Sequence, residues 1–329
     1  MRVPRDRTGE FRTSVLPRRK QYEGMIREDL SLMFLSGVST RTLSLISRRL
    51  IGRSISHEEV SGANRELTEG TERWRRRDLS REPVKYLFLG GVNFTMRIGG
   101  TVELVPVLLA IGVTLAGHKK VLGLQSGDKK SASSWRQFIK DLKARGLSPE
   151  RVILGVMDGL VGLEKVFRED FVHAKVQRCQ VHVAKNVLTK VPRKLKETVA
   201  DDMRSIFYAS SKPKALEFSG TFKKKWEREI PSAAKTLENS LESCLTFFSF
   251  PQQEWISLWT TNIIERLEKE FKRRTKPMEI IAGENACYRL LAFICLKAEL
   301  HWRANTVGKV SANLPFFKEI AQKEFTQNP

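Results

Sequence analysis

Two acidic residues stand where a metal-dependent reaction could use them. Asp158 follows the continuous apolar run 152–157, which is typical of a buried strand, and Glu265 lies in a helical segment that starts near Asn262. The end of a strand can point a carboxylate out of a sheet, and Mg²⁺ prefers such oxygen ligands. Each residue also has a simpler interpretation. Asp158-Gly159 is a common turn, and Asn262-x-x-Glu265 has the spacing of a helix capping box.

A second group of this kind, Cys179-Gln-Val-His182, follows another predicted strand. A zinc site would need two more ligands, and none lies near in the sequence. We therefore predict that Cys179 and His182 are not a zinc site and instead pack or hydrogen-bond near the active site. The chain has four sparse cysteines and no CxxC, which argues against a disulfide framework and suits a reducing compartment.

The overall charge indicates a polyanionic partner. The 329 residues include 58 Lys and Arg against 37 Asp and Glu, a formal net charge of +21. Phosphate backbone is the commonest polyanion that a folded basic protein binds, and a structural, RNA-associated basic protein is the plain alternative. The longest apolar stretch, 102–116, is interrupted by Glu, Pro and Gly and is too short to span a bilayer, so we expect no membrane association.

Hydrophobic periodicity predicts an α/β protein. We expect helices at 135–145, 160–167, around Glu265 and at 286–302, and strands at 86–96, 102–115, 120–124, 152–157 and 174–179. Three strands, a helix, a strand, a helix and a strand match the ribonuclease H-like order. A basic helical stretch then interrupts this order before the helix that carries Glu265.

The N-terminal part has a different character. Two short capped helices around the turn Gly52-Arg53-Ser54 outline a helix-turn-helix, and Ser56 with Glu59 forms a capping box for a third helix. An ordinary helical pair is the alternative. We therefore divide the chain into a basic N-terminal segment (1–20), a helical DNA-binding region (21–80), a core (81–182 plus 256–303), a basic helical insertion (183–255) and a C-terminal tail (304–329).

Taken together, several segments carry a family resemblance. They are Gly37-Val-Ser-Thr-Arg41, Tyr86-Leu-Phe-Leu, Asp158-Gly-Leu, Gln177-Arg-Cys-Gln-Val-His182, Thr260-Thr-Asn-Ile-Ile-Glu-Arg266 and Phe271-Lys-Arg-Arg-Thr-Lys276. Through them the chain resembles the Mutator-type transposases of bacterial insertion sequences over essentially its whole length. The resemblance implies a DDE catalytic core on a ribonuclease H-like fold, an all-α insertion and N-terminal helix-turn-helix-like helices. It also implies Mg²⁺-dependent hydrolysis at element ends at a two-metal site, followed by strand transfer.

The resemblance also implies roles for particular residues and partners. Asp158 and Glu265 would be catalytic metal ligands, supported by Cys179, His182, Asn262 and Arg266. The partners would be the element's terminal inverted repeats and target DNA, bound by a homodimer or larger assembly in the cytoplasm, at the nucleoid. The expected DNA-binding residues are Arg41, Arg48, Arg49, Arg53, Arg65, Lys190, Arg193, Lys194, Lys272, Arg273 and Arg274.

The chain also departs from the family pattern. Gly90 stands where the family carries its first catalytic aspartate, and no acidic residue lies between Lys85 and Glu103 to replace it. Glu268 stands where we expect an amide, Lys130 where we expect an acid, and the chain begins several tens of residues later than family members usually do. We therefore expect an impaired transposase, with a non-catalytic DNA-binding relic that regulates or inhibits transposition as the alternative.

Overall fold

A computed structural model describes residues 57–308 of the chain. The chain divides into two compact units between Trp74 and Arg75. The described part of the first unit is helix α1 (His57–Arg75) without its last residue. Helix α1 begins one residue after Ser56, as the predicted third helix should. It extends to Arg75. The two preceding predicted helices lie outside the described residues.

The second unit is built on one mixed five-stranded sheet, in the order β3-β2-β1-β4-β5. The first three strands are antiparallel neighbours, and β4 and β5 run parallel to β1. This confirms the prediction of an α/β protein and the five predicted strands, with small shifts at their ends. The strands are β1 (Val84–Ile98), β2 (Thr101–Thr114), β3 (Lys119–Ser126), β4 (Leu154–Met157) and β5 (Lys175–Arg178).

One face of the sheet packs against α2 (Ala132–Ala144) and α3 (Val161–Asp170). The buried residues of α2 are Trp135, Phe138, Ile139 and Leu142, and this spacing places them on one side of a helix. They join Leu87 and Leu89 of β1 in the main hydrophobic core. Because side chains alternate along a strand, the neighbouring positions Phe88 and Gly90 face the opposite side.

That opposite side packs against α9 (Asn262–Thr275) and α10 (Glu284–Trp302). The Phe271 ring of α9 lies 6.1 Å from the Phe94 ring of β1. Helix α10 is fixed to β3 by two side chains that accept backbone hydrogen bonds. The Tyr288 hydroxyl accepts from Ser126 N at 2.6 Å, and Glu299 Oε1 accepts from Val121 N at 2.7 Å. These contacts fix α9, which carries Glu265, and α10 to the sheet.

Five helices lie between β5 and α9. They are α4 (Gln180–Leu188), α5 (Lys196–Phe207), α6 (Lys212–Trp226), α7 (Pro231–Cys244) and α8 (Trp255–Leu258). Buried amides attach this group to the sheet: Gln177 and Gln180 both donate to the Cys244 carbonyl, at 2.9 and 3.1 Å. At the other end Glu254 accepts from Lys85 Nζ at 2.6 Å and from the Tyr86 hydroxyl of β1.

Two glycines test this packing in opposite directions. A Cβ at Gly155 in β4 would lie 2.3 Å from Phe167 Cζ, so Gly155→Ala should lower the free energy of unfolding by about 1–3 kcal/mol through overpacking. Gly220, in α6, has no atom within 4 Å of such a Cβ, and Gly220→Ala should raise it by about 0.5–1 kcal/mol. Urea denaturation measures the free energy of unfolding of both variants. Equal changes in this free energy for the two variants would contradict the described packing.

Candidate active site

Asp158 lies directly after β4, at the C-terminal edge of the sheet. Its backbone turns into the loop before α3 through Gly159, whose φ of +85° is a conformation that favours glycine. Asp158 Oδ1 accepts a hydrogen bond from Leu160 N at 3.4 Å, so the carboxylate also closes the turn. Asp158 therefore stabilises the turn and also places a carboxylate at the edge of the sheet.

Gly90 belongs beside Asp158 on the neighbouring strand. Phe88 pairs with Val156 in the parallel register of β1 and β4, and counting two residues further along both strands leads to Gly90 and Asp158. A Cβ at Gly90 would lie 3.1 Å from both Cδ1 and Cγ2 of Ile264, which is tighter than ordinary van der Waals contact. The position is therefore covered by the helix that carries Glu265, and a side chain there requires Ile264 to move.

Glu265 lies in the first turn of α9, one residue after Ile264. The helix begins at Asn262 with Thr261 as its N-cap, so the predicted capping box of Asn262 and Glu265 is wrong. A capping box needs its first residue just outside the helix, and Asn262 is already helical. Instead, the Thr261 hydroxyl is 3.5 Å from Glu265 Oε1. Asn262 is partly buried with its N–H 3.3 Å from Thr260 Oγ1, and Arg266 is exposed.

Two hydrogen bonds bring the start of α9 to the start of α4. Gln180 N donates to the Trp259 carbonyl at 3.1 Å, and Thr261 N donates to the fully buried Cys179 Sγ at 3.3 Å. Cys179 is itself held by β4, because its N–H donates to the Met157 carbonyl at 2.8 Å. The strand end that presents Asp158 and the helix that presents Glu265 therefore meet at Cys179.

At this junction His182 joins Cys179 and Glu265 as a potential metal ligand. His182 Nδ1 is 3.7 Å from Glu265 Oε1, and one donor atom each from Cys179, His182 and Glu265 lie within 4.8 Å of one another. Interaction with Cys179 raises the pKa of His182, and the charges of Glu265 and Asp158 act in the same direction against burial. The structure thus revises the ligand count taken from the sequence, because Glu265 joins the Cys-His pair from 83 residues further along the chain.

Glu268 is a further carboxylate on α9, at a position where the family pattern led us to expect an amide. It follows Glu265 by three residues on α9, and such residues share a helix face. Burial raises the pKa of Glu268, and the charge of Glu265 adds to the effect, whereas Lys272, Lys129 and His182 oppose it. The i,i+3 spacing from Glu265 was the only sign in the sequence that Glu268 lies near the site. The same spacing is common on solvated helices, so it does not identify a site residue by itself.

Comparisons with known proteins identify the family of this chain. Residues 1–305 match the family described as "Transposase, Mutator family". The chain belongs to the Mutator family of transposases. The transposase for insertion sequence element IS406 of Burkholderia multivorans is 33% identical over 94% of this chain and 79% of its own length. The corresponding protein for ISRM5 of Rhizobium meliloti is 32% identical over 92% and 75%, and that for IS905 of Lactococcus lactis is 32% identical over 88% and 73%.

The basic residues expected to bind DNA in this Mutator-family chain fall into three groups. Arg41, Arg48, Arg49 and Arg53 lie outside the described residues. Arg65, Lys190, Arg193 and Lys194 are exposed. At the end of α9, Lys272 and Arg273 are exposed but each faces an acidic neighbour, Glu268 at 3.9 Å and Glu270 at 2.8 Å, and Arg274 is partly buried.

Ion pairs offset part of the positive charge of the insertion. In the run 223–225, Lys223 Nζ lies 2.7 Å from Glu238 and Lys225 Nζ lies 2.8 Å from Asp202. Acidic residues of the neighbouring helices therefore neutralise two of the three lysines. None of the helices between residues 57 and 308 combines the length and apolar character needed to cross a bilayer.

The burial of Glu268 gives a pH prediction. Because its pKa is raised in the folded chain, the unfolded chain loses this proton first as pH rises. The resulting loss of stability begins near the ordinary Glu pKa and is complete above the raised one. Glu268→Gln should therefore stabilise the protein more at pH 7 than at pH 4.

Denaturant titrations of the native chain and Glu268→Gln at both pH values measure this difference. Glu270→Gln, a neighbouring acid whose side chain is 46% exposed, is the matched control and should show little change. A gain for Glu268→Gln that is as large at pH 4 as at pH 7 would contradict the assignment.

Proposed function

We propose that this Mutator-family chain is the transposase of a bacterial insertion element, with a ribonuclease H-like DDE core that is impaired by the loss of its first aspartate. The observation that carries the proposal is the junction at Cys179. It brings Glu265 to the end of the strand that presents Asp158, although 106 residues separate them in the sequence. The strand order and the family relationship support the same assignment.

The donor set fits a hard divalent cation in part. Asp158 and Glu265 supply carboxylate oxygens, and both act electrostatically on His182. When bound, Mg²⁺ would polarise the scissile phosphate and activate the attacking oxygen, first of water and then of a freed 3′-hydroxyl. The chain's own residues hold the two carboxylates in place through the Cys179 junction. The neighbouring strand β1 contributes no carboxylate at Gly90.

The proposal therefore includes low activity for this chain as it stands. Two neighbouring cations need compensating negative charge, and Ile264 occupies the space where a side chain at position 90 would lie. A second candidate function follows from the same observation: a DNA-binding protein that occupies element ends without cutting them and so inhibits an active relative. The two candidates differ only in residual cleavage.

We assign as partners the terminal inverted repeats of the element and target DNA, by relation to the insertion-sequence transposases that the chain resembles. A homodimer or larger assembly in complex with DNA, at the nucleoid, suits a reaction that joins two element ends. The net charge of +21 and the exposed Lys190, Arg193 and Lys194 provide contacts to phosphate.

Restoring the missing carboxylate should restore Mg²⁺-dependent cleavage of element-end DNA. Because Ile264 restricts position 90, we expect Gly90→Asp alone to help less than Gly90→Asp combined with Ile264→Ala. Misplacement of a reacting group by about 1 Å can cost on the order of 100-fold, so the double variant should cleave at least ~100-fold faster than the native chain.

Two control variants accompany this cleavage measurement. Ile264→Ala alone should remain inactive, and Glu265→Gln added to the double variant should abolish the gain. A native chain that cleaves as fast as the double variant would show that Gly90 is not a lesion. In that case another group would supply the missing charge.

DNA binding should be largely electrostatic, with each phosphate contact contributing about −0.9 to the slope of log K against log salt concentration. Arg193→Ala should make the slope of duplex binding less steep by about 0.9. Lys223→Ala should change it less, because Lys223 already pairs with Glu238. A salt titration by fluorescence anisotropy tests both variants, and a native slope near zero would refute phosphate-dominated binding.

A further inference from the structure

The start of α4 has the spacing of two metal ligands. Cys179 is the N-cap of this helix and His182 follows one turn later, so both side chains lie on the same side of its first turn. The sequence offered only these two donors. The structure adds Glu265 from α9, with one donor atom of each residue within 4.8 Å of the others.

The chemistry of this donor set differs from that of a magnesium site. It combines a sulfur, an imidazole nitrogen and a carboxylate oxygen, which are the three ligand types of zinc, whereas Mg²⁺ prefers oxygen alone. Zinc bond lengths imply ligand atoms about 3.3–3.6 Å apart in a tetrahedral site. His182 Nδ1 and Glu265 Oε1 are already 3.7 Å apart. Small side-chain rotations would close the site.

Two further observations favour a cation here. Within residues 57–308, His182 Nδ1 is buried and has no hydrogen-bond partner, so a ligand atom is free to bind. Cys179 Sγ accepts a hydrogen bond from Thr261 N at the first turn of both α4 and α9. The sulfur is therefore already held beside His182 and Glu265.

We propose that Cys179, His182 and Glu265 bind one zinc-class divalent cation, with the fourth position open to water. The site shares Glu265 with the magnesium site, and this second part rests on the proposed function. A zinc-class ion on Glu265 removes one of the two carboxylates that would hold Mg²⁺. Such an ion therefore acts as an inhibitor, and the two kinds of cation compete through a single residue.

Cobalt(II) ion is the probe, because it replaces zinc and reports its ligands by absorption. Titrated into the reduced full-length chain without DNA or magnesium, it should bind one equivalent. We expect a thiolate-to-cobalt charge-transfer band and the intense visible bands of tetrahedral coordination. Cys179→Ser should lose the charge-transfer band. His182→Ala and Glu265→Gln should keep the band but bind at least about tenfold more weakly.

Cys244→Ser is the matched control, because Cys244 is also a buried free cysteine and lies outside the donor group. It should retain the full spectrum. Should Cys179→Ser fail to fold, as judged by circular dichroism, the partly exposed Glu265 still tests the site through Glu265→Gln. Absence of cobalt binding, or a charge-transfer band that survives in Cys179→Ser, would overturn the proposal.

Sharing of Glu265 is tested by repeating the titration with excess magnesium. Competition should weaken apparent cobalt affinity by the factor 1 + [Mg²⁺]/Kd, and the effect should vanish in Glu265→Gln. Cobalt binding that magnesium leaves unchanged would overturn the sharing. Because this experiment contains no DNA, absence of cleavage by the chain would count against the proposed function and leave the cobalt result standing.

Discussion

The hydrogen bond from Thr261 N to Cys179 Sγ is the contact on which the arrangement of the site depends. It joins residues 82 positions apart and closes the five-helix insertion onto the sheet, with the help of the bond from Gln180 N to the Trp259 carbonyl. Cys179 is fixed in turn by the carbonyl of Met157, one residue before Asp158. Because one buried cysteine connects β4, α4 and α9, through its N–H and its sulfur, the positions of Asp158, His182 and Glu265 are determined together.

The same arrangement explains why glycine at position 90 leaves no cavity. With glycine in β1, Ile264 packs directly on the strand, and the first turn of α9 lies against the sheet. The sheet tolerates this glycine, since β1 pairs with β2 without interruption on both sides of it. The fold and the chemistry are therefore separable here. Under the proposed function, we expect glycine at position 90 to cost activity more than stability.

Much of this organisation could be predicted from the sequence, and the reasons for the failures are physical. The apolar run before Asp158 and the periodicity of α2 predicted their elements because burial sets those patterns directly. The N-cap of α9 is Thr261 and not Asn262, since both residue types are common caps and tertiary contacts choose between them. The approach of Glu265 to Cys179 and the pairing of Lys223 with Glu238 depend on long-range packing, which local patterns do not encode.

We expect this site to hold fewer metal ions than an intact carboxylate triad would. Titration with Mn²⁺, followed by electron paramagnetic resonance, counts the ions that bind in competition with Mg²⁺. The native chain should bind fewer than two such ions, and a second ion should bind when Gly90 is changed to Asp and Ile264 to Ala together. Two ions already bound by the native chain, with one lost in Glu265→Gln, would contradict this expectation.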